Sequence, residues 1–448
     1  MHKLAYLFPA FPVFHQTFVL WEVLGLQRNG VCPQIFSLRR GTAQQQPEGE
    51  RIAREVTYLP PLRSRAVLLA NWRLLRRDAR RYARVYVEVV RAWRTGAMPA
   101  VRAAGWERRP VALHDRLRGW FNRQPYLYLL KSFLLVPRAV DLAERLAAAE
   151  ITHLHVHWAT YPATVAYVVN LISGMPFSIS AHAYDIYMVP RMLPAKVRAA
   201  RFVVTCAKTN ATFLRQLAGT DVSDKIIVSY HGVDVHRFAP AVDRRAAGDE
   251  LRIVSCGQLE RYKGMHILID ACAALRRRGV ALQCWIVGDG PRRSQLQSQI
   301  EQLGLTDAVH LTGAQPHAEV AALLQRADVF ALASELGGKS GRRDVIANVI
   351  VEAMAAALPV VASRIPGVEE LVDDGVSGYL VRPNHADELA AALQRLAASA
   401  DDRVRFGHAA RRRILQDFDS SKNVRLLAQL LTAMPAEPIR QPLAVSAH

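Results

Sequence analysis

The sequence predicts an α/β fold made of two doubly wound, Rossmann-like domains. At 448 residues the chain is longer than the roughly 300 residues over which one hydrophobic core usually grows. Its hydrophobic content of 51% is enough for two cores. Short apolar runs alternate with amphipathic helical segments along most of the chain, which is the pattern of parallel βα units.

Two series of predicted strands define the domains. The first series is 4–8, 151–156, 177–180, 202–205 and 226–229. After a polar linker at 239–250, the second series is 253–255, 283–287, 309–311, 329–332, 360–362 and 379–381. We expect a first domain at 1–240 with a helical, Arg-rich insertion at about 61–148, and a second domain at 241–415 facing it across a cleft. A C-terminal helix within 416–448 is expected to return to the first domain and end in a tail.

Composition restricts the cellular setting that we expect. The five cysteines are scattered and odd in number, which argues against a disulfide framework or a zinc knuckle and favours the reducing cytoplasm. The first residues lack the pattern of a signal peptide. The longest apolar stretch, 126–137, is shorter than the roughly 20 residues that span a bilayer, and Lys131 interrupts it.

The positive charge is concentrated in one segment. The net charge is +19, and residues 61–123 contain sixteen arginines against four acidic residues. Seven residues in this segment follow helical spacing and predict one apolar, aromatic face about 30 Å long: Trp72, Leu75, Ala79, Tyr82, Tyr86, Val89 and Trp93. Such a helix either lies in an anionic membrane interface or packs on the first domain with a solvated Arg face, and both interpretations stay open.

Chemistry-bearing residues follow several predicted strands, at the edge where parallel sheets bind ligands. His182 and Asp185 follow one strand of the first domain, and Gln258 follows the first strand of the second. Lys263 belongs to the same loop as Gln258, where an ammonium group could neutralise a diphosphate, although a lone loop lysine is more often solvated. We expect these residues to converge on one interdomain cleft.

Asp344 and Glu352 lie eight residues apart beside a predicted helix that begins near Asn348. Both carboxylates would reach one ligand, and the amides at Asn348 and Val349 would face a phosphate at the positive end of the helix. Two hydroxyl-binding carboxylates next to a phosphate-binding helix end suit a sugar joined to a nucleoside diphosphate.

Other site classes fit less well. The loop at 287–291 has neither the G-x-G-x-x-G form of a dinucleotide site nor the GK[ST] of a P-loop. His153, His155 and His157 alternate along one strand, but one strand rarely places three ligands around one ion. Hydrogen bonding or packing therefore explains these histidines better than a metal site, and we predict no metal.

Three segments resemble the retaining glycosyltransferases of the GT-B fold, family four. They are HGVDVHRFAP at 231–240, GQLERYKG at 257–264, and ADVFALASE followed by DVIANVIVEAMAAALPVVAS. The opening FPAFPVFHQTFVLWE resembles a subgroup that acts in exopolysaccharide or colanic-acid-type assembly. The resemblance covers most of the chain except the Arg-rich insertion.

The resemblance implies a role for each matching residue. Lys263 would bind the donor diphosphate, Glu352 the ribose, Asp344 the transferred sugar, and the backbone at Asn348 and Val349 the phosphates or the sugar. His182 would lie beside the donor sugar as a catalytic residue together with Asp344. Gln16, Thr17 and Asp185 are assigned to the acceptor side.

The sequence departs from the family pattern at three places. Asp344 replaces the usual glutamate, and Val345, Ile346 and Ala347 replace Gly-Phe-Pro. Gln258 replaces the usual arginine beside the diphosphate, which removes one positive charge from the donor site. Four arginines near in sequence are candidates to compensate: Arg261, Arg292, Arg342 and Arg343.

The sequence thus predicts a retaining hexosyltransferase-type glycosyltransferase of bacterial exopolysaccharide or cell-surface polysaccharide biosynthesis. Its substrates would be a nucleotide-sugar donor and a saccharide acceptor, either lipid-linked or an oligosaccharide, with no metal or other cofactor. We expect it in the cytoplasm, held at the inner face of the plasma membrane by its Arg-rich helices. The alternative is a catalytically degenerate GT-B protein that binds an anionic membrane or a partner. Nucleic-acid binding is not favoured.

Overall fold

The computed structural model describes residues 3–13, 17–41, 47–96, 125–187, 190–241, 250–335 and 346–433. The chain divides into two units, Met1–Ser229 with Val424–His448, and Tyr230–Asn423. The boundary between the two units, at Ser229 and Tyr230, comes before the boundary predicted at residue 240. Val233, Val235 and Phe238 explain the difference, because they belong to the hydrophobic core of the second unit. Arg411 also donates hydrogen bonds to the carbonyls of Val235 and Phe238, at 3.1 and 3.2 Å.

The first unit is built on a seven-stranded parallel sheet in the order β3-β2-β1-β4-β5-β6-β7. Its strands are β1 (Leu4–Phe8), β2 (Gln34–Ser37), β3 (Thr57–Tyr58), β4 (His153–His157), β5 (Phe177–Ala181), β6 (Val203–Thr205) and β7 (Ile226–Val228). Helices cover both faces, and the first unit has two hydrophobic clusters. The prediction from the sequence missed β2 and β3, which are four and two residues long and therefore show little periodicity.

The second unit is built on a six-stranded parallel sheet in the order β10-β9-β8-β11-β12-β13. Its strands are β8 (Leu251–Cys256), β9 (Leu282–Val287), β10 (Val309–Gly313), β11 (Val329–Leu332), β12 (Val360–Ser363) and β13 (Gly378–Val381). All six strands overlap the predicted ones. The α/β, doubly wound class predicted from the sequence is confirmed for each unit by these orders.

The helices between the strands complete the βα units. In the first unit they are Thr17–Arg28, Pro47–Glu55, Arg65–Arg77, Ala79–Arg94, Pro125–Ala148, Tyr161–Ser173, Ala183–Tyr187, Leu193–Ala199 and Lys208–Ala218. In the second they are Met265–Arg277, Arg293–Gln302, His317–Arg326, Asn348–Ala355, Pro366–Glu369, Ala386–Ala398 and Ala400–Asp417. Short 3₁₀ helices span Thr220–Lys225 and Arg261–Lys263. None of the helices described here is long and apolar enough to span a bilayer.

The last described helix, Ser420–Thr432, begins in the second unit and ends in the first. Leu427, Ala428 and Leu431 are buried in a cluster with residues of β1. Gly25 fits beneath this helix, since a Cβ atom at that glycine would lie 2.9 Å from Val424 Cγ1.

The prediction of a single long helix in the Arg-rich segment is wrong, because the structure has two helices there. The chain breaks at Asp78, whose backbone angles of −154° and 77° are not helical. The Asp78 side chain instead accepts a hydrogen bond from the Arg81 amide at 2.8 Å and caps a second helix. The predicted apolar face is consequently divided. Its second half is half-buried or buried at Tyr82, Tyr86, Val89 and Trp93, whereas Trp72 and Leu75 in the first half are exposed.

Candidate functional site

In the second sheet the strand order reverses between β8 and β11. Loops leave the carboxyl ends of these two strands in opposite directions, which opens a crevice for ligands at that point of the sheet. Residues 257–264 follow β8 and residues 333–335 follow β11. The first sheet has the same reversal between β1 and β4.

Lys263 lies in the loop after β8 and is only 9% exposed. Its aliphatic chain runs past Gly257, where an added Cβ atom would lie 3.3 Å from Lys263 Cδ. Gly264 follows with a φ of +66°, and a Cβ atom there would lie 1.8 Å from the carbonyl oxygen of Ala333. A glycine is therefore required for this loop to meet the end of β11. Lys263 is not the solvated surface lysine of the alternative interpretation.

The helix Asn348–Ala355 begins at the predicted residue. No side chain caps its N-terminus within the described part of the chain. The amides of Asn348 and Val349 have no acceptor inside the helix, because helix geometry gives the first turn none. Both side chains are half-buried. The helix start thus has the donors and the dipole that an anion requires.

Glu352 lies one turn inside this helix and is half-buried. Burial raises the pKa of Glu352 to about 8, although the positive charge of Arg237 acts to lower it. A carboxyl group with this pKa is largely protonated at neutral pH, so it can both donate and accept hydrogen bonds. A sugar hydroxyl group can both donate to and accept from such a group.

Cys256 links Lys263 to Glu352. This cysteine ends β8, and the pKa of its thiol is raised to about 12. Burial is the larger cause, and the negative charge of Glu352 acts in the same direction. The charge of Lys263 acts on the same thiol in the opposite direction. Two residues 89 positions apart in sequence are thus brought within electrostatic range of one atom at the end of β8.

Glu335 is a buried carboxylate that contacts two basic side chains. Its Oε2 atom lies 3.3 Å from Arg261 Nε, and its Oε1 atom lies 3.3 Å from His266 Nε2. Burial alone would raise the pKa of Glu335, but the hydrogen bond with His266 and the charge of Arg261 outweigh burial and lower it. Glu335 is therefore ionised.

Arg292 lies within electrostatic range of Arg261 and Glu335. Burial and the charge of Arg261 lower the pKa of Arg292, and Glu335 opposes them. Its Nε atom donates to Gln295 at 2.9 Å, whereas Nη1 is buried without a hydrogen-bond partner among the described residues. Gln258 is exposed.

In the first unit, His182 and Asp185 lie together at the end of β5. The Asp185 carboxylate accepts hydrogen bonds from the backbone amides of His182, at 2.8 Å, and of Ala159. Burial raises the pKa of Asp185 to about 7. Lys196 is fully buried nearby and donates to the carbonyls of Ala159 and Thr160, each at 2.9 Å. Asp185 therefore organises the backbone around His182.

The three alternating histidines of β4 are buried, and two of them contact serine hydroxyl groups of β5. His153 Nε2 lies 2.7 Å from Ser178 Oγ. His155 places Nδ1 2.6 Å from the same hydroxyl and Nε2 2.9 Å from Ser180 Oγ. His157 Nε2 lies 2.7 Å from His182 Nε2. These contacts agree with the hydrogen-bonding role preferred from the sequence.

Three predicted site residues have little or no structural description. Gln16 and Asp344 lie outside the described residues, as do the compensating candidates Arg342 and Arg343. Thr17 begins the helix Thr17–Arg28, and only its backbone is described. Their assigned roles stay predictions.

Sequence reasoning did not assign a role to three groups that the structure connects to these sites. Glu335 holds Arg261 and His266, while Glu22 and Tyr6 contact His157. Glu22 is part of the TFV-x2-E opening, which was a signal available in the sequence. The contact with Tyr6 depends on β1 pairing with β4, and no local pattern predicts that pairing.

Comparisons with known proteins agree with this architecture. Residues 242–413 match the family model of glycosyl transferases group 1. WcaL of Escherichia coli K12, a glycosyltransferase provisionally assigned to colanic acid biosynthesis, is 40% identical over 215 residues, 47% of this chain and 52% of WcaL. The amylovoran biosynthesis glycosyltransferase AmsK of Erwinia amylovora is 35% identical over 209 residues, 47% of this chain and 51% of AmsK. The chain thus spans about half the length of these curated relatives.

The fold is shared along nearly the whole chain with HepE of Anabaena, solved in complex with UDP. The TM-score is 0.66 at 18% identity, covering 96% of this chain and 100% of HepE. HepE has also been solved with UDP-glucose. The predicted GT-B architecture of two Rossmann-like domains is confirmed by this likeness and by the two sheets. The second unit of this chain contains a domain that belongs to the glycosyl transferases group 1 family.

Proposed function

We propose that this protein transfers a sugar from a nucleoside-diphosphate sugar to a saccharide acceptor, with retention of configuration, in bacterial exopolysaccharide or cell-surface polysaccharide synthesis. The observation that carries the proposal is the convergence of Lys263 and Glu352 on the end of β8, inside the domain of the glycosyl transferases group 1 family. The names of WcaL and AmsK and the UDP bound to HepE support it.

In this proposal each group of the second unit acts on one part of the donor. The ammonium of Lys263 and the amides at Asn348 and Val349 stabilise the departing diphosphate. Glu352 binds the ribose hydroxyls, and Asp344 binds the transferred sugar. These positive groups perform the charge stabilisation for which other transferases use a divalent metal.

Arg292 and Arg261 supply the charge that Gln258 lacks. Both guanidinium groups lie within electrostatic range of each other and of Glu335. Arg261 is held by Glu335, whereas the buried Nη1 atom of Arg292 has a hydrogen-bond donor to offer an anion. We therefore assign the diphosphate contact mainly to Arg292.

Residues of the first unit handle the sugar and the acceptor. His182 lies beside the transferred sugar, and Gln16, Thr17 and Asp185 belong to the acceptor side. The structural role of Asp185 in holding the His182 backbone supports its place in this set. The acceptor is lipid-linked, and the enzyme works in the cytoplasm at the inner face of the plasma membrane.

A thermal-shift panel of nucleoside mono- and diphosphates and nucleotide-sugars tests the donor site. A ligand at 100 times its dissociation constant should stabilise the folded protein by about 2.7 kcal/mol. Glu352→Ala should abolish the shift, whereas Glu301→Ala, at an exposed residue of another helix of the same unit, should keep it. The absence of a shift with every nucleotide, from folded protein, would overturn the donor site.

Transfer assays with the nucleotide series that the panel selects test the reaction. Lys263→Ala should lower transfer at least about tenfold, because the leaving diphosphate loses a charge-assisted contact. Arg277→Ala, at an exposed position of the same unit, should leave transfer unchanged. Near-normal turnover in Lys263→Ala would remove its assigned role. The anomeric configuration of the product, read by NMR, tests retention.

A membrane-binding surface on the Arg-rich helices is the second part of the proposal. The helix Arg65–Arg77 exposes four large apolar side chains, each between 47% and 59% exposed: Leu68, Leu69, Trp72 and Leu75. Across residues 61–96, all of which the structure describes, nine arginines are exposed while Asp78 and Glu88 are half-buried. Apolar side chains beside a cationic surface match an anionic bilayer interface.

A neighbouring helix has a second apolar row. Tyr126, Leu130 and Leu134 recur every fourth residue along the helix Pro125–Ala148 and are 71%, 54% and 49% exposed. This helix packs against Arg65–Arg77, and Asn71 Nδ2 donates to the Pro137 carbonyl at 2.9 Å. The two rows, together with the exposed arginines, form what we call the insertion surface.

Vesicle flotation tests the insertion surface. The protein should float with vesicles that contain phosphatidylglycerol and not with neutral vesicles, and binding should weaken with salt. The double variant Leu69→Ser, Trp72→Ser should lose binding, whereas Val404→Ser, at an exposed valine of the second unit, should keep it. Vesicle binding without any donor turnover would instead favour the degenerate, membrane-binding alternative.

A further inference from the structure

The turn that follows β4 lies at the point where the strand order of the first sheet reverses. Strands β1 and β4 are neighbours, and the chain runs from β1 to β2 on one side of this pair and from β4 to β5 on the other. The segments that leave these two strands therefore diverge and open a crevice at the carboxyl edge of the sheet, where ligands bind. Trp158 is the first residue after β4, and its side chain is half-buried.

Trp158 has a backbone conformation that is unusual for a large side chain. Its φ is +82°, and its amide donates to the Ser180 carbonyl at 2.9 Å. A positive φ brings Cβ too close to neighbouring backbone atoms, so a residue with a side chain keeps it only where other contacts hold the backbone. Strained residues of this kind are concentrated at binding and catalytic sites.

Lys196, on the helix Leu193–Ala199, holds the turn that carries Trp158. The side chain of Lys196 is fully buried. Its Nζ atom donates to the carbonyls of Ala159 and Thr160, each at 2.9 Å, and to the Tyr128 hydroxyl at 2.7 Å. These three acceptors match the three N–H groups of an ammonium, and two of them belong to the turn.

Asp185 holds the same turn through a backbone amide. Its buried carboxylate accepts from the amides of Ala159 and His182, the second at 2.8 Å. Lys196 and Asp185 thus bind the carbonyl and the amide of one residue, Ala159, directly after Trp158. Ionisable groups are costly to bury, so two of them at one short turn indicate that its conformation matters.

The indole of Trp158 lies beside polar and aromatic side chains at this edge of the sheet. Its ring centroid is 4.5 Å from that of His182, 5.4 Å from that of His157 and 6.4 Å from that of Phe18. No described residue accepts a hydrogen bond from the indole N–H. This donor is therefore available to a ligand.

A half-buried indole with an available N–H suits a pyranose ring. One face of a pyranose presents C–H groups that gain from leaving water against an aromatic ring, while its hydroxyl groups need polar partners. We propose that Trp158 binds a pyranose ring of a substrate by packing of its indole and by a hydrogen bond from its N–H to a hydroxyl group, and that Lys196 and Asp185 position the turn. The ring belongs to the donor sugar or to the saccharide acceptor, and in this respect the inference rests on the proposed function.

Fluorine NMR of the full chain labelled with fluorotryptophan tests the contact. The chain has seven tryptophans, and two signals are assigned from Trp158→Phe and Trp93→Phe. One set of probes is methyl α-glucoside, methyl α-galactoside and methyl α-mannoside, and the other is UDP-glucose and GDP-mannose. At least one probe should shift the Trp158 signal and leave that of Trp93, a half-buried residue of the same unit, in place. A Trp158 signal that no probe shifts, from folded protein, would overturn the proposal.

The probe that acts identifies the source of the ring. A shift with a nucleotide-sugar but not with its nucleoside diphosphate assigns the ring to the donor, whereas a shift with a glycoside assigns it to the acceptor. An equal shift with a nucleotide-sugar and its nucleoside diphosphate, without any glycoside effect, would overturn the sugar contact. If the thermal-shift panel finds no nucleotide that binds, the proposed function fails, while the glycoside spectra still decide whether Trp158 binds a sugar.

The affinity of variants for the active probe separates the indole ring from its N–H. Trp158→Phe keeps an aromatic ring and should weaken binding roughly 3- to 10-fold, the effect of one hydrogen bond. Trp158→Gly should weaken it at least about tenfold, because the packing is lost as well. Trp93→Phe should bind as the wild type does. Wild-type affinity in Trp158→Gly would overturn the sugar contact.

Melting temperatures without ligand test the strained backbone. Glycine adopts a positive φ without a Cβ clash, so Trp158→Gly should melt at a higher temperature than Trp158→Ala, although both variants lack the indole. A lower melting temperature for the glycine variant would show that the turn is unstrained and would overturn this part of the argument.

Lys196→Met tests the positioning role. It keeps the length of the side chain and removes the three donors, so the Trp158 fluorine signal without ligand should shift or broaden while that of Trp93 stays in place. Lys208→Met, at an exposed lysine of the same unit, should leave both signals unchanged. Asp185→Asn, which keeps one acceptor oxygen, replaces Lys196→Met if that variant does not fold. An unchanged Trp158 signal would overturn the positioning role.

Discussion

Asp185 holds the backbone amide of His182 at 2.8 Å and thereby joins the end of β5 to the start of the next helix. The same carboxylate also accepts from the Ala159 amide, just beyond β4. Neither amide is part of the sheet hydrogen bonding at these positions, so the carboxylate satisfies two donors that would otherwise be buried without an acceptor.

Asp185→Ala should destabilise this corner of the first unit. Each buried amide that loses its acceptor costs about 1 to 3 kcal/mol. Native-state hydrogen exchange should show faster exchange at His182 and Ala159, and the melting temperature of the first unit should fall. Asp224→Ala, at an exposed carboxylate of the same unit, is the control. Unchanged protection at both amides would contradict the assigned contacts.

Gly264→Ala should disrupt the loop that positions Lys263. The new Cβ atom would lie 1.8 Å from the Ala333 carbonyl oxygen, on a residue with a φ of +66°. Gly279→Ala is a matched control, because its φ is +75° but no atom lies within 4 Å of the added Cβ. The control should cost only the strain of the left-handed backbone, roughly 1–2 kcal/mol. Equal melting temperatures for the two variants would show that the close approach to Ala333 is unimportant.

Glu352 should make the stability of the second unit depend on pH. Burial raises its pKa from 4.5 to about 8, so the folded protein holds a proton that the unfolded chain loses between these values. The folded state binds more protons in this window, and its stability therefore falls as pH rises from about 4.5 to 8.

Glu352→Gln should remove this contribution. In the absence of ligand, the melting temperature of the variant minus that of the wild type should become more positive as the pH rises from 5 to 8. Glu319→Gln, at an exposed carboxylate of the same unit, should follow the wild type at every pH. A difference between wild type and Glu352→Gln that stays constant with pH would mean that Glu352 ionises normally.

Arg292→Ala should weaken nucleoside diphosphate binding about tenfold, which corresponds to about 1.4 kcal/mol. The protein without ligand should lose little stability, because Nη1 of Arg292 is buried without a hydrogen-bond partner among the described residues. Arg293→Ala tests the neighbouring guanidinium, which donates to the Leu311 carbonyl at 3.1 Å. Unchanged affinity for UDP in Arg292→Ala would show that another group compensates for Gln258.

Local patterns in the sequence were sufficient for much of the fold. Buried parallel strands are continuous apolar runs, and their periodicity placed eleven of the thirteen strands. The helix start near Asn348 was also predicted from the sequence and is confirmed. The break at Asp78 was not predicted. Asp78 caps a helix only because the following residues Tyr82, Tyr86 and Val89 pack into the first unit.

The sequence by itself determined the class of fold and predicted Lys263 and Glu352 as candidate site residues, since strand periodicity and local spacing are properties of neighbouring residues. Only the tertiary structure decided which distant groups share an environment: Lys263 and Glu352 at Cys256, Arg292 and Arg261 at Glu335, and Glu22 and Tyr6 at His157. These contacts depend on the order in which parallel strands pair. That order is set by packing across the whole sheet, and it determines the buried environment in which Glu352 ionises.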